Sequence, residues 1–281
     1  PKHADARLTR AELLAKREKS RNEVRVNLEM LLQPSEKKQA VSPVQAARAK
    51  KLLGYLALKA GDRDKAIDWY KKALETAPGH PVFQAELVRT LLRTGALPEA
   101  KESLEELEQS GGLPHTTKAL RSGYLSRVGE HEKAIDVATS ISKDHPIRSW
   151  TLGNAQRLAG EYDAALETFE GVPEDEDVDG RFAAYALLTR VEQNPSQASQ
   201  TYKQASKLAK LHNRSLPATR AGALVTLKAA PLLKSDKARS RLMKAALKSV
   251  ESALALSVYD PELLLARCKI HRLQRAHEKA F

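Results

Sequence analysis

Between residues 47 and 172 the apolar and small positions recur as a block, and the block predicts paired helices. Gly61, Gly95 and Gly129 stand 34 residues apart, and Gly160 follows after 31. Five residues after each glycine comes an alanine: Ala66, Ala100, Ala134 and Ala165. Eight before stand Leu53, Leu87, Arg121 and Leu152, with Arg121 the exception, and seven before stand Gly54, Val88, Ser122 and Gly153. Nine after come Tyr70, Leu104, Ala138 and Phe169; twelve after come Ala73, Leu107, Ile141 and Val172. Pro78 and Pro146 close the first and third blocks.

These residue types suit two short helices around a tight turn. A turn glycine adopts positive φ at little steric cost. Small residues on the first helix, such as Gly54 and Gly153, let the second helix approach. Bulky residues at the later offsets fill the space between neighbours, and a proline ends the pair because it cannot continue a helix.

Beyond 172 the block loosens. Residues 173–180 hold five acids and predict a solvated loop. Phe182, Tyr185 and Leu188, then Asn194-Pro195, Ala198, Tyr202 and Ala205, predict a fifth pair without its glycine. Residues 217–230 and 236–256 predict two more helices, the second with Ala246, Val250 and Ala253 at second-helix spacing. Asp260-Pro261 opens a last unit, in which His277-Glu278-Lys279-Ala280 echoes His131-Glu132-Lys133-Ala134 and predicts the start of a second helix. The repeat logic then predicts that the chain continues or that a partner covers this end. At the other end Thr9 and Glu12 have capping-box spacing, so residues 1–34 read as one basic helix, 35–42 as a linker, and Ser42-Pro43 as cap and first turn of the next helix.

Leu53-Gly54, Gly61, Ala66, Tyr70, Ala73 and Pro78 resemble one tetratricopeptide repeat, and Leu152-Gly153, Gly160, Tyr162, Ala165 and Phe169 resemble another. The resemblance covers four units over 43–172, with looser helix pairs over 181–281. It implies an all-α, right-handed α-solenoid of helix-turn-helix repeats whose first helices line a concave face. Positions two, six and ten before each turn glycine share one helical face. The resemblance turns that face inward. It then presents Lys59, Arg93 and Arg127 as a ladder, with Arg89, Tyr55, Lys51, Asn154 and Trp150 alongside, and Arg48 and Arg157 close by. Trp150 reads either as an anchor for a ligand or as core. The carboxylate clamp of some family members is not reproduced: Lys51 fits it, but Tyr55, Glu86, Thr116 and Leu120 stand where it needs asparagine, lysine or arginine.

Composition and charge narrow the function. Aromatics are only 5% of the chain, which disfavours a sheet-rich fold. The net charge of +12 is uneven: residues 151–200 carry −7, and residues 201–281 carry +12. In that basic third, Lys203, Lys207 and Lys210 recur at helical spacing, as do Lys237, Arg241, Lys244 and Lys248. They read either as a polyanion contact or as a solvated face. There is no Walker loop, GxGxxG, HExxH, CxxC or GxSxG, and the eight histidines lack metal-ligand spacing, so neither catalysis nor a cofactor is expected. One cysteine, Cys268, makes no internal disulfide, and a reducing compartment such as the cytoplasm is the default. The expected role is a scaffold, adaptor or subunit of a larger assembly that binds an acidic or extended protein segment in a basic groove. The alternative is a ribonucleoprotein subunit touching RNA through its basic third.

Overall fold

The computed structural model describes residues 2–33, 41–257 and 259–278. Among them the chain is all-α: fifteen α-helices, three short 3-10 turns and no strand. The helices are α1 (Lys2–Ala15), α2 (Arg21–Leu32), α3 (Pro43–Ala60), α4 (Arg63–Thr76), α5 (Pro81–Thr94), α6 (Leu97–Gln109), α7 (Pro114–Val128), α8 (His131–Thr139), α9 (Ile147–Ala159), α10 (Tyr162–Glu170), α11 (Arg181–Gln193), α12 (Ala198–Leu211), α13 (Leu216–Ala229), α14 (Asp236–Leu256) and α15 (Pro261–Glu278). They pack in consecutive pairs, and the chain divides into two compact units, residues 1–120 and 121–281.

Local chemistry fixes the helix ends. Ser42 and Gln45 form a reciprocal capping box at the start of α3, with Pro43 in its first turn, and the Asp62 side chain accepts from the Lys65 amide at the start of α4. The turn glycines Gly61, Gly95, Gly129 and Gly160 all sit at φ between 76° and 84°, the left-handed conformation that ends a helix without a Cβ clash. In the acidic loop before α11, Asp177 accepts from the Phe182 and Ala183 amides, so one of its five acids caps the next helix.

Pairing depends on rings lying over glycines. A Cβ on Gly54 would come within 3.0 Å of the Tyr70 ring, and one on Gly153 would overlap the Phe169 ring. Tyr70 and Phe169 are almost wholly buried. In the pair α12–α13, Gly222 performs the same service against Ala205 and Ala209.

Two expectations are corrected. Residues 1–34 do not form one helix: α1 and α2 are separated by a 3-10 turn at Glu18–Ser20 and fold as a hairpin against α3. Leu8, Ala11, Ala15, Val24 and Leu28 pack there on Ala49, Leu52, Leu53 and Leu56. Thr9 lies inside α1 and caps nothing; its spacing to Glu12 serves another purpose, described below. At the far end α15 runs unbroken through Glu278, so His277-Glu278 continue a first helix instead of opening a second. Lys279-Ala280 and most of the 35–42 linker lie outside the described residues.

Gly153→Ala should destabilise the second unit by roughly 1–3 kcal/mol, because overpacking against Phe169 outweighs the ~1 kcal/mol gain in helix propensity. Adding Phe169→Leu should recover most of that loss. Urea denaturation followed by helical circular dichroism of the wild type and both variants measures this.

Candidate functional site

In the first unit α3 and α5 carry the residues that the repeat register turns to one side, and α1 packs against α3. The three border a cleft of about 220 Å³ lined by Glu12, Lys16, Lys51, Leu52, Tyr55, Tyr70 and Glu86. Leu52 and the two tyrosine rings give it an apolar floor, while two carboxylates and two ammonium groups share its rim. The lining is therefore mixed in charge, where a uniformly basic groove was expected.

α1 explains part of that difference. The Arg48 guanidinium donates to both Glu12 oxygens, from Nε at 2.8 Å and from Nη2 at 2.6 Å, and to Thr9 Oγ1 at 3.3 Å. Lys51 Nζ stands 3.8 Å from Glu12, and Asp5 is 3.9 Å from Arg48. Thr9 and Glu12 thus sit on one side of α1 to engage α3. Arg48 is already taken by the chain's own helix, and Lys51 is shared between that helix and the cleft. The hydrogen bond from Arg48 holds the Glu12 carboxyl below its ordinary range and raises Arg48 in turn.

The cations gather at the C-terminal ends of α3 and α5. Lys59 is half-buried, its ammonium 5.7 Å from the centre of the Tyr55 ring. Burial, then the nearby charges of Arg93 and Arg21, push its pKa down. Lys59, Arg93 and Arg21 therefore form one concentration of positive potential in this unit. Arg89 lies beside Glu86 and is paired with it at 2.6 Å. Tyr70 is pushed well above the usual phenol range by burial first and by Glu86 second.

The other expected groove residues belong to the second unit, so the ladder of Lys59, Arg93 and Arg127 divides between the two. Arg127 is exposed on α7 and donates to the Gly123 carbonyl at 2.8 Å. Asn154 donates to the Trp150 carbonyl within α9. Trp150 is half-buried against the core, its ring centre 4.8 Å from Tyr185 and 5.9 Å from Phe182, with the Arg181 guanidinium 5.4 Å from its own centre.

Arg157 is also corrected. It is only 5% exposed and donates from Nη1 to both Glu192 oxygens, at 3.0 and 2.8 Å, across the α9–α11 interface. Its guanidinium lies 5.3 Å from the Tyr185 ring centre. The Tyr185 hydroxyl accepts from Arg220 at 3.0 Å, and Arg220 pairs with Asp260 at 3.3 Å and Glu262 at 2.8 Å. Burial opposes the charge of both arginines; the acids and Tyr185 outweigh it, so both stay above their ordinary value. This network joins α9, α11, α13 and α15, and of its members only Arg157 was singled out as a site from the sequence. The signal available was charge of both signs at first-helix positions, Glu192, Arg220 and Glu262.

The basic third is placed plainly. Lys203, Lys207 and Lys210 on α12 and Lys237, Arg241, Lys244 and Lys248 on α14 are all exposed. Among the described residues no group of three His, Cys, Asp or Glu stands close enough to hold a metal, and no helix is long and apolar enough to cross a membrane. Cys268 is exposed on α15.

Comparison with known proteins accords with the helix pairing. Residues 57–112 match the tetratricopeptide repeat family. No curated protein matches the chain. Among solved structures, a Rap protein complexed with competence and sporulation factor aligns over 97% of this chain and 99% of its own, at 14% identity and a TM-score of 0.52, a likeness of fold. The TPR domain of P58(IPK) aligns over 98% of this chain and 80% of its own at 16% identity, with a TM-score of 0.34.

Two outcomes follow from the ion pairs. Glu192→Ala should cost about 3–5 kcal/mol by leaving buried Arg157 without its acid, whereas replacing both residues by leucine should cost much less; chemical denaturation of the single and double variants decides it. Glu12 has a depressed folded-state pKa, so its pairing stabilises the α1 contact fully above pH 4.5, the ordinary glutamate value, and loses that contribution as pH falls below it. The contact is partly solvated and contributes about 1 kcal/mol or less. Protection factors of α1 amides, taken relative to the intrinsic exchange rate at each pH, should fall on acidification in the wild type, and Glu12→Gln should remove that fall.

Proposed function

We propose that this chain, a tetratricopeptide-repeat protein, is a scaffold that captures an extended segment of another protein along the first-helix face of its first unit. The observation that carries the reading is the open cleft between α1, α3 and α5, with the positive charge of Lys59, Arg93 and Arg21 on the same unit. The cleft volume suits one large side chain, which would rest on Leu52, Tyr55 and Tyr70. Acidic residues of the same segment would sit toward Lys59 and Arg93, away from Glu12 and Glu86. An anchor in a desolvated pocket with a charged rim is the arrangement in which a few residues dominate binding. Its work in this reading is binding, not catalysis.

The repeat supports the coarser statement, a protein-interaction scaffold; the acidic extended segment is our finer reading. Charge-assisted bonds at partly desolvated positions contribute about 1.5–3 kcal/mol each, against under ~1 kcal/mol for fully exposed pairs. Lys59→Glu with Arg93→Glu should therefore weaken capture of the native partner by roughly a hundredfold or more, at ~1.4 kcal/mol per tenfold. The thermal midpoint should stay within about 2 °C of wild type. A photo-cross-linking residue at position 55 should label that partner in the wild type and not in the charge-reversed variant. Unchanged capture, or cross-links confined to second helices, would remove this face as the site. Unfolding of the double variant would make these cations structural.

A further inference from the structure

Residues 201–250 carry twelve basic side chains and a single acid, Asp236. That acid is paired with Arg239 at 3.2 Å. Arg220 is the half-buried member of the ion network described above, paired with Asp260 and Glu262. The remainder includes two stripes on second helices. On α12, Lys203, Lys207 and Lys210 are exposed; on α14, so are Lys237, Arg241, Lys244 and Lys248. None of these seven makes an ion pair with another described residue. Both helices pack against α13, and the 3-10 turn Ala230–Leu232 touches all three.

The α14 stripe has positions i, i+4, i+7 and i+11, which keeps four cations on one face over three turns, roughly 16 Å at 1.5 Å per residue. Such a row of like charges repels itself. Natural helices usually relieve that with acids three or four residues away; here the stretch between Lys237 and Lys248 contains no acid, and Glu251, three residues beyond Lys248, stands 3.8 Å from Arg267 of α15. The exposed residues between the cations are small, Ala238 and Ala245, so a rigid polyanion can approach the helix closely.

Other features of the same face select the polyanion. The apolar side of α14, with Met243, Ala246, Val250 and Ala253, is buried, and no large hydrophobic is exposed along α14. α14 therefore has nothing to insert into a bilayer, as an interfacial helix must, and the exposed apolar side chains nearby are two isolated ones, Leu211 at the end of α12 and Leu232 in the 3-10 turn. No exposed aromatic accompanies the charges; Tyr202 is half-buried against the core. A stacking platform for unpaired bases is missing. Six of the seven cations are lysines, point charges that lack the planar fork with which arginine reads a base edge. Phosphate contact without base contact is what remains.

We infer that the exposed face of α12 and α14 is a docking surface for the phosphate backbone of a nucleic-acid duplex, bound irrespective of sequence. It is independent of the peptide-binding reading, resting on the other unit and on second helices, so either can fail alone.

The test is fluorescence anisotropy of the full chain with two 20-bp duplexes of unrelated sequence, a single strand of the same length, and vesicles containing phosphatidylserine. The duplexes should bind equally and more tightly than the single strand, with log K falling against log salt at a slope of roughly −4 to −6, about 0.9 per phosphate contact. The quadruple variant Lys237→Glu, Arg241→Glu, Lys244→Glu and Lys248→Glu should lower duplex affinity more than tenfold at low salt and flatten the slope by about 3 or more. A companion variant, Lys237→Gln with Lys244→Gln and Lys248→Gln, removes charge without adding repulsion and carries the test should the reversal disturb helix content. No duplex binding at low salt, an unchanged slope in a folded variant, stronger binding to the single strand, or binding to vesicles without binding to duplex would each overturn the inference.

Discussion

A ring seated on a glycine sets the geometry of these helix pairs. Tyr70 over Gly54 and Phe169 over Gly153 bring second helix close to first, at a distance where a Cβ on Gly153 would overlap the ring and one on Gly54 would crowd it. That approach fixes the rotation of α3 and α9 about their own axes. Rotation decides which residues are left facing away from the pair. Tyr55 and Lys59 border or adjoin the first unit's cleft because Gly54 faces Tyr70; Arg157 meets Glu192 because Gly153 faces Phe169. The binding and structural chemistry of the first helices is thus subordinate to one steric condition within each pair.

The paired-helix fold was legible because its determinants are local and periodic. Turn glycines, the following alanines and the ring positions each lie within one repeat, so spacing alone exposes them. What stayed hidden depends on partners distant in sequence. Arg157 read as a groove cation because Glu192 is 35 residues away, on a helix whose repeat pattern is worn. Arg48 read the same way because its acids are on α1, 36 residues earlier for Glu12. The hairpin at the N-terminus was missed for a different reason. Its turn, Glu18–Ser20, is charged and contains neither glycine nor proline, so nothing in it breaks a helical reading. Trp150 was ambiguous from the sequence because large rings serve equally as core and as anchor; its packing beside Phe169, Phe182 and Tyr185 depends on residues up to 35 positions away.

First and second helices divide the labour in chemical terms. First helices hold side chains in fixed geometry: a partly apolar cleft in one unit, a buried arginine–carboxylate network in the other. Such groups discriminate, since their partners must match shape and charge placement. Second helices α12 and α14 hold exposed lysines in water. Such groups attract over distance and respond steeply to salt. A protein with both can concentrate a target loosely and select another closely.

The arginine network of the second unit has a consequence for modularity. Repeat arrays are ordinarily divisible, because each unit touches only its neighbours. Arg220 on α13 finds its carboxylates at the head of α15, Asp260 just before the helix and Glu262 within it, while Tyr185 on α11 accepts its hydrogen bond. Shortening the array by removing α15 together with Asp260 would leave a part-buried guanidinium with no counterion. Four helices that look interchangeable in outline are in this sense a single indivisible part, with a minimum size set by electrostatics and not by the length of a repeat.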